Sequence, residues 1–489
     1  MSGPVISRAA SRIHAVADTP AERPVPEGTQ APPVRRRLDG LDAFRGCLVV
    51  LRILVGSQVA SIAASVMLHA DGFGLTVADL VFPGFLFIMG MAIPVSMSAF
   101  LRLPAARDAA GPDRRTHLLR IVRRAVLLYM IGMFLGVYPF LPENLEHLRF
   151  AGVLQRLGVV YLVVSLLYVT CAWSLLPVGD RAASDGEGAP RTGVRARGGR
   201  ALVKAFLLGG FPLLCAGVWI VSTYTFRNPW PECTGVRGLV PDCSLEAYVD
   251  TNMWGVEHNF EGRRFDPEGL MSTLVAVVNC WAGLAVGMDI VRNMARYGAT
   301  RGVRRRASSL IAIGAAGAGG GLALGLVIPI GKPLWTPSYA LVTVGIMTVG
   351  FGLVLLAFDG GLWPKPGGTA RSGRAGMSAA VRRGLVPGRA GMSAAVRRGL
   401  VPVGDTLVAL GRNPLFFYIL SELVITTLNY IPVRYHGREE SLWSVGAEVG
   451  LASWMPGPPA SMVWALLWLL LFYVPLARLL VARGWYIRV

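Results

Sequence analysis

The sequence predicts an all-α integral membrane protein, a bundle of about ten transmembrane helices. Hydrophobic residues make up 53% of its 489 residues and charged residues only 16%, with a mean hydropathy of +0.51. This composition is too apolar for an ordinary soluble domain. The apolar residues also come in long blocks, and a block of about 20 residues is the length that a helix needs to cross the hydrocarbon layer.

The apolar blocks predict the order of the helices, and the segments between them predict the loops. The predicted spans are 47–67, 77–100, 121–139, 151–173, 202–223, 270–290, 308–329, 335–357, 410–431 and 459–481. Residues 1–40 contain no apolar core and are predicted to be a disordered polar tail, with 41–489 as the transmembrane domain. An even number of spans places both termini on the same side of the membrane.

The distribution of positive charge predicts which side that is. Of the 48 Lys and Arg residues, 38 lie in or beside one alternating set of loops, nine belong to the other set, and Arg52 lies inside a span. Cytoplasmic loops carry the excess of Lys and Arg, so the richer set, which includes both termini, is predicted to be cytoplasmic. The net charge of +19 forms no single patch and therefore predicts no nucleic-acid partner.

The longest loop on the opposite side, about 224–269, contains Cys233 and Cys243. Two cysteines close together in an oxidising compartment favour a disulfide, and two free thiols are the alternative.

The predicted cytoplasmic linker 358–409 contains a tandem duplication. The 15 residues Gly373–Pro387 recur without change as Gly388–Pro402. The unit is too short for a solenoid, so we interpret it as a tolerated insertion or a basic helix on the membrane surface.

Charged residues within or beside spans are costly to bury, and each is a candidate functional residue. Asp42 and Arg45 lie three residues apart at the start of the first span and are expected to pair. Arg52 lies two turns further along. It is interpreted either as one half of an interhelical ion pair or as part of a cationic track for a phosphorylated ligand. Glu422, in the middle of the ninth span, is expected to face a cavity or a cation such as Arg52.

A histidine and an aspartate flank the turn between the first two spans. His69 is predicted to close the first span on the non-cytoplasmic side, and Asp79 lies just inside the second. Histidine titrates near neutral pH and suits general-base catalysis, and a carboxylate can orient its ring. The alternative is a histidine that is simply placed at the membrane interface.

Other polar residues cluster on the same side. Arg149 and Arg156 are seven residues apart and share one helix face if the helix begins early. They are interpreted as binding an anionic substrate group or as pairing with Glu143 or Glu146. His258 lies in the long loop, and Asp266 before Pro267 predicts the N-cap of the next helix. The histidines do not have the spacing of metal ligands, so no catalytic metal is predicted.

Several segments together resemble the heparan-α-glucosaminide N-acetyltransferase family. They are DAFRG (Asp42–Gly46), HADGFGLTVADLVFPGFLFIMGMAIPVSM (His69–Met97), LRFAGVLQRLGVVY (Leu148–Tyr161), DPEG (Asp266–Gly269), KPLWTPSY (Lys332–Tyr339) and RNP (Arg412–Pro414). They occur in the order of the family from about residue 38 onwards. Gly56 stands where the family often has asparagine, and the turn Asp71–Gly74 differs from that of the lysosomal members.

The resemblance implies a transmembrane acetyltransferase that uses cytosolic acetyl-CoA as co-substrate and acetylates a glucosamine amine on the lumenal side. The active-site histidine of the family falls on His69 and the aspartate on Asp79. Asn413 of the RNP segment and His258 are added as candidate binding residues. The expected partners are membrane lipid and a glycan or amino-sugar acceptor, with a second copy of the chain as a further candidate. A bacterial inner membrane and a lysosomal membrane both fit.

The mechanism expected from this resemblance brings donor and acceptor together through the membrane. The nucleotide end of acetyl-CoA would bind near Arg45 and Arg52, and His69 would deprotonate the acceptor amine. Arg156 or a backbone N–H would stabilise the oxyanion. The alternatives are a covalent acetyl-histidine intermediate, an acyltransferase for another lipid-linked or cell-envelope sugar, and a proton-coupled transporter without enzymatic activity.

Overall fold

The structure, a computed structural model, describes residues 38–101, 114–175, 206–236, 239–293, 300–362 and 394–487. These ranges are mostly helical and contain one small hairpin. The helices are α1 (Asp39–Gly56), α2 (Val81–Leu101), α3 (Arg114–Val137), α4 (Pro142–Glu146), α5 (Val153–Leu175), α6 (Phe211–Thr225), α7 (Leu245–Trp254), α8 (Leu270–Arg292), α9 (Thr300–Leu324), α10 (Pro337–Phe358), α11 (Ala394–Gly411), α12 (Pro414–Tyr430), α13 (Leu442–Ala447), α14 (Gly457–Trp468) and α15 (Val474–Ala482).

Six helical segments within the described ranges are long and apolar enough to cross a membrane. They are Ala78–Met97, Val153–Thr170, Leu270–Arg292, Thr300–Leu324, Pro337–Phe358 and Gly457–Ala482. A seventh is obtained if α11 and α12, which meet at an angle of 86°, form one broken span. The chain is therefore a multi-pass membrane protein, whereas the count of about ten spans and the cytoplasmic position of both termini remain predictions.

The remaining predicted spans fall short for identifiable reasons. Helix α1 is 18 residues long and carries four charged side chains, those of Asp39, Asp42, Arg45 and Arg52. Helix α3 is long, but arginines occupy its first half. Helix α6 has only 15 residues.

The largest departure from the sequence prediction concerns the first span, which was expected over 47–67. Helix α1 ends at Gly56, and residues 57–80 are irregular apart from the short 3₁₀ turns Ser65–Met67 and Ala78–Leu80. Polar side chains redirect the backbone here: the Gln58 side chain donates to Leu54 O (2.8 Å), and Val59 N donates to Ser461 Oγ (3.0 Å). The prediction that His69 closes a helix is therefore wrong, and His69 lies in an irregular segment.

The start of α8 also differs from the prediction that Asp266 is its N-cap. The helix begins at Leu270, with Gly269 in the N-cap position. The Leu270 N–H donates to Oδ1 of Asp250 on α7 (3.2 Å), so a carboxylate from another helix takes over the capping role. Asp266 instead accepts from Glu268 N (2.8 Å) within the preceding turn.

Glycines allow the central helices to approach closely. A Cβ on Gly90 of α2 would lie 1.8 Å from the Cys280 carbonyl oxygen of α8, and one on Gly283 of α8 would lie 1.8 Å from the Phe87 carbonyl oxygen of α2. Gly46 does the same for the pair α1 and α11. Small residues at such crossings are typical of helix packing in membranes.

A two-stranded antiparallel hairpin departs from the all-α prediction. Strand β1 (Pro432–Tyr435) pairs with β2 (Arg438–Ser441). His436 and Gly437 both have positive φ, 49° and 78°, which fits the tight turn of a two-residue hairpin loop.

The predicted tail, linker and disulfide loop lie only partly within the described residues. The helix Ala394–Gly411 begins in the predicted linker 358–409, extends two residues beyond it and includes the end of the second repeat copy. The first copy, Gly373–Pro387, and the tail 1–37 lie outside the described residues. In the long loop, Cys233 and Cys243 are joined by a disulfide.

Candidate active site

The centre of the candidate site is a hydrogen-bonded histidine–aspartate pair. His69 Nδ1 lies 2.8 Å from Asp79 Oδ1. The imidazole is 57% exposed, whereas Asp79 is 1% exposed. Since an ionised carboxylate can only accept, His69 donates its Nδ1–H to Asp79, which leaves the Nε2 lone pair as the basic atom of the ring.

Asp79 is fixed by hydrogen bonds to both its side chain and its backbone. Its Oδ2 accepts from Thr76 N (3.1 Å), Thr76 Oγ1 (2.9 Å) and Ala70 N (3.3 Å). The bond from Thr76 N is the returning bond of a capping box, which the sequence Thr-x-x-Asp produces at the start of a helix. The buried Tyr339 hydroxyl donates to the Asp79 carbonyl oxygen (2.6 Å). Three donors on Oδ2 leave Oδ1 for the histidine.

A lysine completes the site. Lys332 Nζ lies 3.1 Å from both ring nitrogens of His69 and 3.9 Å from Asp79 Oδ1. One atom cannot lie along the lone-pair axis of two ring nitrogens at once, so the ammonium lies against the ring. The Lys332 side chain is 15% exposed. We refer to His69, Asp79 and Lys332 as the histidine site.

A tight turn between α9 and α10 positions Lys332. Thr336 N donates to Gly331 O (3.1 Å), and Trp335 N donates to Lys332 O (3.0 Å). Trp335, in a left-handed conformation (φ 47°), is fully buried and donates its indole N–H to Asn279 of α8 (3.0 Å). This turn is joined to the segment after His69, because Gly74 N donates to Ile330 O (2.7 Å).

A second charged group lies beside this turn and is defined here as the arginine cluster: Arg149, Arg156, Asp266 and Glu268. Arg149 pairs with both carboxylates, and its Nε lies 2.6 Å from Asp266 Oδ2. Although burial opposes it, the positive charge of Arg149 holds the pKa of Glu268 below its ordinary value. Burial raises the pKa of Asp266. The prediction that Arg149 pairs with Glu143 or Glu146 is wrong.

Arg156 is 2% exposed and lies under the turn that carries Lys332. Its Nη2 donates to the carbonyl oxygens of Pro267 (2.8 Å) and Gly269 (3.3 Å) and contacts Ser272 Oγ. The guanidinium lies 4.9 Å from the ring of Trp335, a cation–π contact. Helix α5 begins at Val153, so Arg149 precedes it and Arg156 lies on it, and the early helix start that would place both on one face is not observed.

The other candidate residues lie in packing contacts. His258 Nδ1 lies 3.0 Å from the Leu148 carbonyl oxygen. Asn413 lies at the break between α11 and α12 and binds the C-terminal segment, with Oδ1 accepting from Ile487 N (2.9 Å) and Nδ2 donating to Trp485 O (3.1 Å). These contacts describe local structure and bring neither side chain to His69.

The charged residues of α1 lie at two levels. Asp42 and Arg45 pair at its start (3.2 Å). Further along, Arg52 pairs with Glu422 of α12, which is the interhelical ion pair among the two interpretations of Arg52. A Cβ at position 56 would lie 1.8 Å from Arg52 Nη1, so Gly56 leaves the space that the guanidinium occupies.

Lys332 and Tyr339 belong to the segment KPLWTPSY that resembles the acetyltransferase family, but no role was predicted for either residue. Thr76 was not among the predicted site residues. A local signal existed for Thr76, because Thr-Val-Ala-Asp is a capping-box pattern. Lys332 had a weaker signal as one of few lysines. Its contact with His69 joins residues 263 apart in sequence, which no local pattern encodes.

No group of three or more His, Cys, Asp or Glu side chains within the described ranges is arranged to hold a metal ion.

Comparison with known proteins relates the chain to one enzyme family. The matching family model is a domain of unknown function (DUF5009), over residues 37–138. Heparan-alpha-glucosaminide N-acetyltransferase of Homo sapiens is 30% identical over 339 residues, and that of Mus musculus is 29% identical over the same length. Each match covers 62% of this chain and 46% of the relative, so the chain matches about half the length of these curated proteins. By these matches, the chain is similar to heparan-alpha-glucosaminide N-acetyltransferases over about half of their length.

Proposed function

We propose that this protein is a transmembrane acetyltransferase. It takes an acetyl group from acetyl-CoA on the cytosolic side and transfers it to the amine of an amino sugar, or to another glycan, on the opposite side. The observation that carries the proposal is the exposed His69 ring, held through Nδ1 by the buried Asp79 carboxylate. The relation to named acetyltransferases supports acyl transfer as the reaction class.

His69 acts as the general base. The acceptor amine attacks the thioester carbonyl carbon while its proton passes to Nε2, the ring nitrogen that does not face Asp79. The resulting imidazolium then protonates the departing thiolate of CoA, so the histidine returns to its starting state.

Asp79 acts as a positioning residue. Its carboxylate fixes the tautomer that leaves Nε2 unprotonated, and it stabilises the positive charge that develops on the ring. Its burial and its three donors at Oδ2 prevent the carboxylate from rotating, so the ring is oriented before substrate arrives.

Acetyl-CoA approaches from the end of the bundle where α1 begins. Arg45 there is partly exposed and pairs with Asp42, and we assign to it the binding of a phosphate group of the donor. Arg52 is neutralised by Glu422, so we assign to that pair the role of fixing α1 against α12 along the path of the pantetheine arm.

The function is tested with purified protein in lipid vesicles, supplied with acetyl-CoA and a panel of amino sugars. Wild-type protein is expected to release free CoA only when an acceptor is present and to form the N-acetyl sugar. His69→Ala is expected to lose at least about 10²-fold in rate, the usual contribution of a general base. The matched control is His147→Ala, which removes an exposed histidine at the end of α4.

A folded His69→Ala variant with unchanged acetyl transfer would contradict the role of the histidine. Wild-type vesicles that accumulate the sugar unmodified would favour a transporter. A covalent acetyl-histidine is tested by rapid mixing with radiolabelled acetyl-CoA in the absence of acceptor: label retained on the wild-type protein and lost in His69→Ala supports the covalent route, and no label supports direct transfer.

A further inference from the structure

We propose that the ammonium group of Lys332 binds the carbonyl oxygen of the acyl donor and stabilises the oxyanion formed when the acceptor attacks. The inference rests on the proposed function, and it adds a catalytic residue to the histidine site. Lys332 thus takes the role of stabilising the oxyanion, which was expected of Arg156 or a backbone N–H.

The first argument is the position of the charge. Lys332 Nζ lies 3.1 Å from each ring nitrogen of His69, against the face of the imidazole. The amine that gives its proton to Nε2 must lie within hydrogen-bond distance of that atom, and the carbonyl carbon lies next to the amine. The oxygen on that carbon is therefore within reach of the ammonium.

The second argument is preorganisation. The turn that carries Lys332 is closed by the bonds Trp335 N to Lys332 O and Thr336 N to Gly331 O, and Gly331 N donates to Thr336 Oγ1 (3.1 Å). The Trp335 ring is buried edge-to-face against Phe82 and Tyr339, with centroid distances of 5.2 Å in both cases. A donor fixed before reaction stabilises a developing charge without a reorganisation cost.

The third argument concerns the competing cation. Arg156 shares its Nη2 among two backbone carbonyls and Ser272, and its guanidinium is covered by the rings of Phe82 and Trp335. At 2% exposure it cannot meet a substrate without displacing the turn. Among the described cationic side chains, Lys332 is the one with a recorded contact to His69.

Two carboxylates near Lys332 favour its charged form. Burial lowers the pKa of Lys332, and the nearby Arg156 and Arg149 act in the same direction, whereas Glu268 and Asp79 oppose them. These two carboxylates, on separate segments, therefore favour the ammonium form that an oxyanion requires.

The reaction balances around these two residues. As the N–C bond forms, the carbonyl π pair moves onto oxygen, where Lys332 holds it, and the amine proton passes to His69. The oxyanion then re-forms the C=O bond and the C–S bond breaks. The thiolate takes the proton from His69, so the products are an amide and the free thiol of CoA.

The test compares Lys332→Ala and Lys332→Arg with wild-type protein in the same vesicles, with Arg434→Ala as the control because Arg434 is 88% exposed on the hairpin. Loss of one oxyanion donor is expected to lower kcat by about 10²–10³-fold. KM for acetyl-CoA should change by no more than about threefold, Lys332→Arg should recover part of kcat, and added ethylammonium should raise the rate of sugar acetylation by Lys332→Ala.

Each alternative result overturns a specific statement. A Lys332→Ala variant with a kcat near that of wild type, or one altered only in KM, overturns the oxyanion role. If both lysine variants lose thermal stability and neither arginine nor ethylammonium restores kcat, Lys332 is structural and the proposal is wrong. Wild-type protein without acetyl transfer to any acceptor overturns the proposed function itself.

Discussion

The histidine site and the arginine cluster are two groups of charged side chains that pack against the same turn, yet they differ in what remains open. In the histidine site, the carboxylate is buried and the group it orients, His69, is 57% exposed. In the arginine cluster, Asp266 is fully buried, and Arg156 is bound to backbone carbonyls at 2% exposure. The histidine site leaves a basic nitrogen accessible, whereas the most exposed side chain of the arginine cluster, Arg149 at 23%, has its guanidinium paired with both carboxylates.

The two groups differ in how their buried charges are paired, and this difference predicts which group affects activity and which affects stability. A buried charge must be paired, and removal of its partner is costly because the remaining charge is left without compensation. In the arginine cluster, both carboxylates pair with Arg149, whereas Arg156 is held by backbone carbonyls and Ser272, with its Nε and Nη1 buried and without a hydrogen-bond partner. In the histidine site, the buried Asp79 carboxylate is paired, and the His69 ring remains 57% exposed. We therefore expect substitutions in the histidine site to change activity and those in the arginine cluster to change stability.

The largest expected effect is on activity, from Asp79→Asn. The three donors at Oδ2 require an acceptor, so the new amide nitrogen is forced to the Oδ1 position, where it donates to His69 Nδ1. The ring must then carry its proton on Nε2 and cannot act as a base. We expect kcat to fall by about 10²–10⁴-fold with KM little changed, measured by CoA release.

The matched control for this prediction is Asp71→Asn, an exposed aspartate in the same segment, which should retain full activity. An Asp79→Asn variant that keeps most of its activity would show that the tautomer of His69 is not set by this contact.

The next effect is on stability, from Arg149→Met. This change leaves Asp266 and Glu268 buried without their cation, and we expect a loss of about 3 kcal/mol in the free energy of unfolding. Adding Glu268→Gln to the variant should recover part of the loss. Thermal or denaturant unfolding in detergent measures both. Arg263→Ala, which breaks an exposed pair with Glu261, should cost under about 1 kcal/mol.

If Arg149→Met unfolds at the wild-type temperature but loses acetyl transfer, the division between the two groups is wrong and Arg149 binds substrate.

The smallest effect is a pH dependence of stability carried by Asp250. Burial raises the pKa of Asp250 to about 7, although its carboxylate accepts from Asp266 N and Leu270 N. A carboxyl whose pKa is raised in the folded state stabilises it most below about pH 4 and loses that contribution as the pH rises through about 7. The stability of wild-type protein relative to Asp250→Asn should therefore decrease between those values.

Parallel unfolding curves at pH 4.5 and 7.5 measure this difference. An unchanged gap between the two proteins would show that Asp250 is ionised throughout this range.

Much of the helical bundle was predictable from local sequence. Predicted spans such as 270–290 and 335–357 agree with α8 and α10 to within about two residues, because continuous apolar blocks with few charges specify membrane helices. The prediction was wrong for the first span, where the helix ends at Gly56 and the Gln58 side chain and Val59 N make polar contacts instead. It was also wrong for the N-cap of α8, where Asp250 from another helix caps the backbone.

The sequence by itself determined the membrane class of this protein, and through Thr76 and Asp79 it encoded a local capping box that holds a carboxylate beside His69. The membrane class depends on apolar blocks of about 20 residues, and the contacts of Asp79 with Thr76 and His69 join residues at most ten positions apart. Only the tertiary structure decided that Lys332 contacts the imidazole, that Arg52 meets Glu422, and that Arg149 pairs with Asp266 and Glu268. Such contacts depend on how helices far apart in sequence pack together, and hydropathy and spacing do not record that packing.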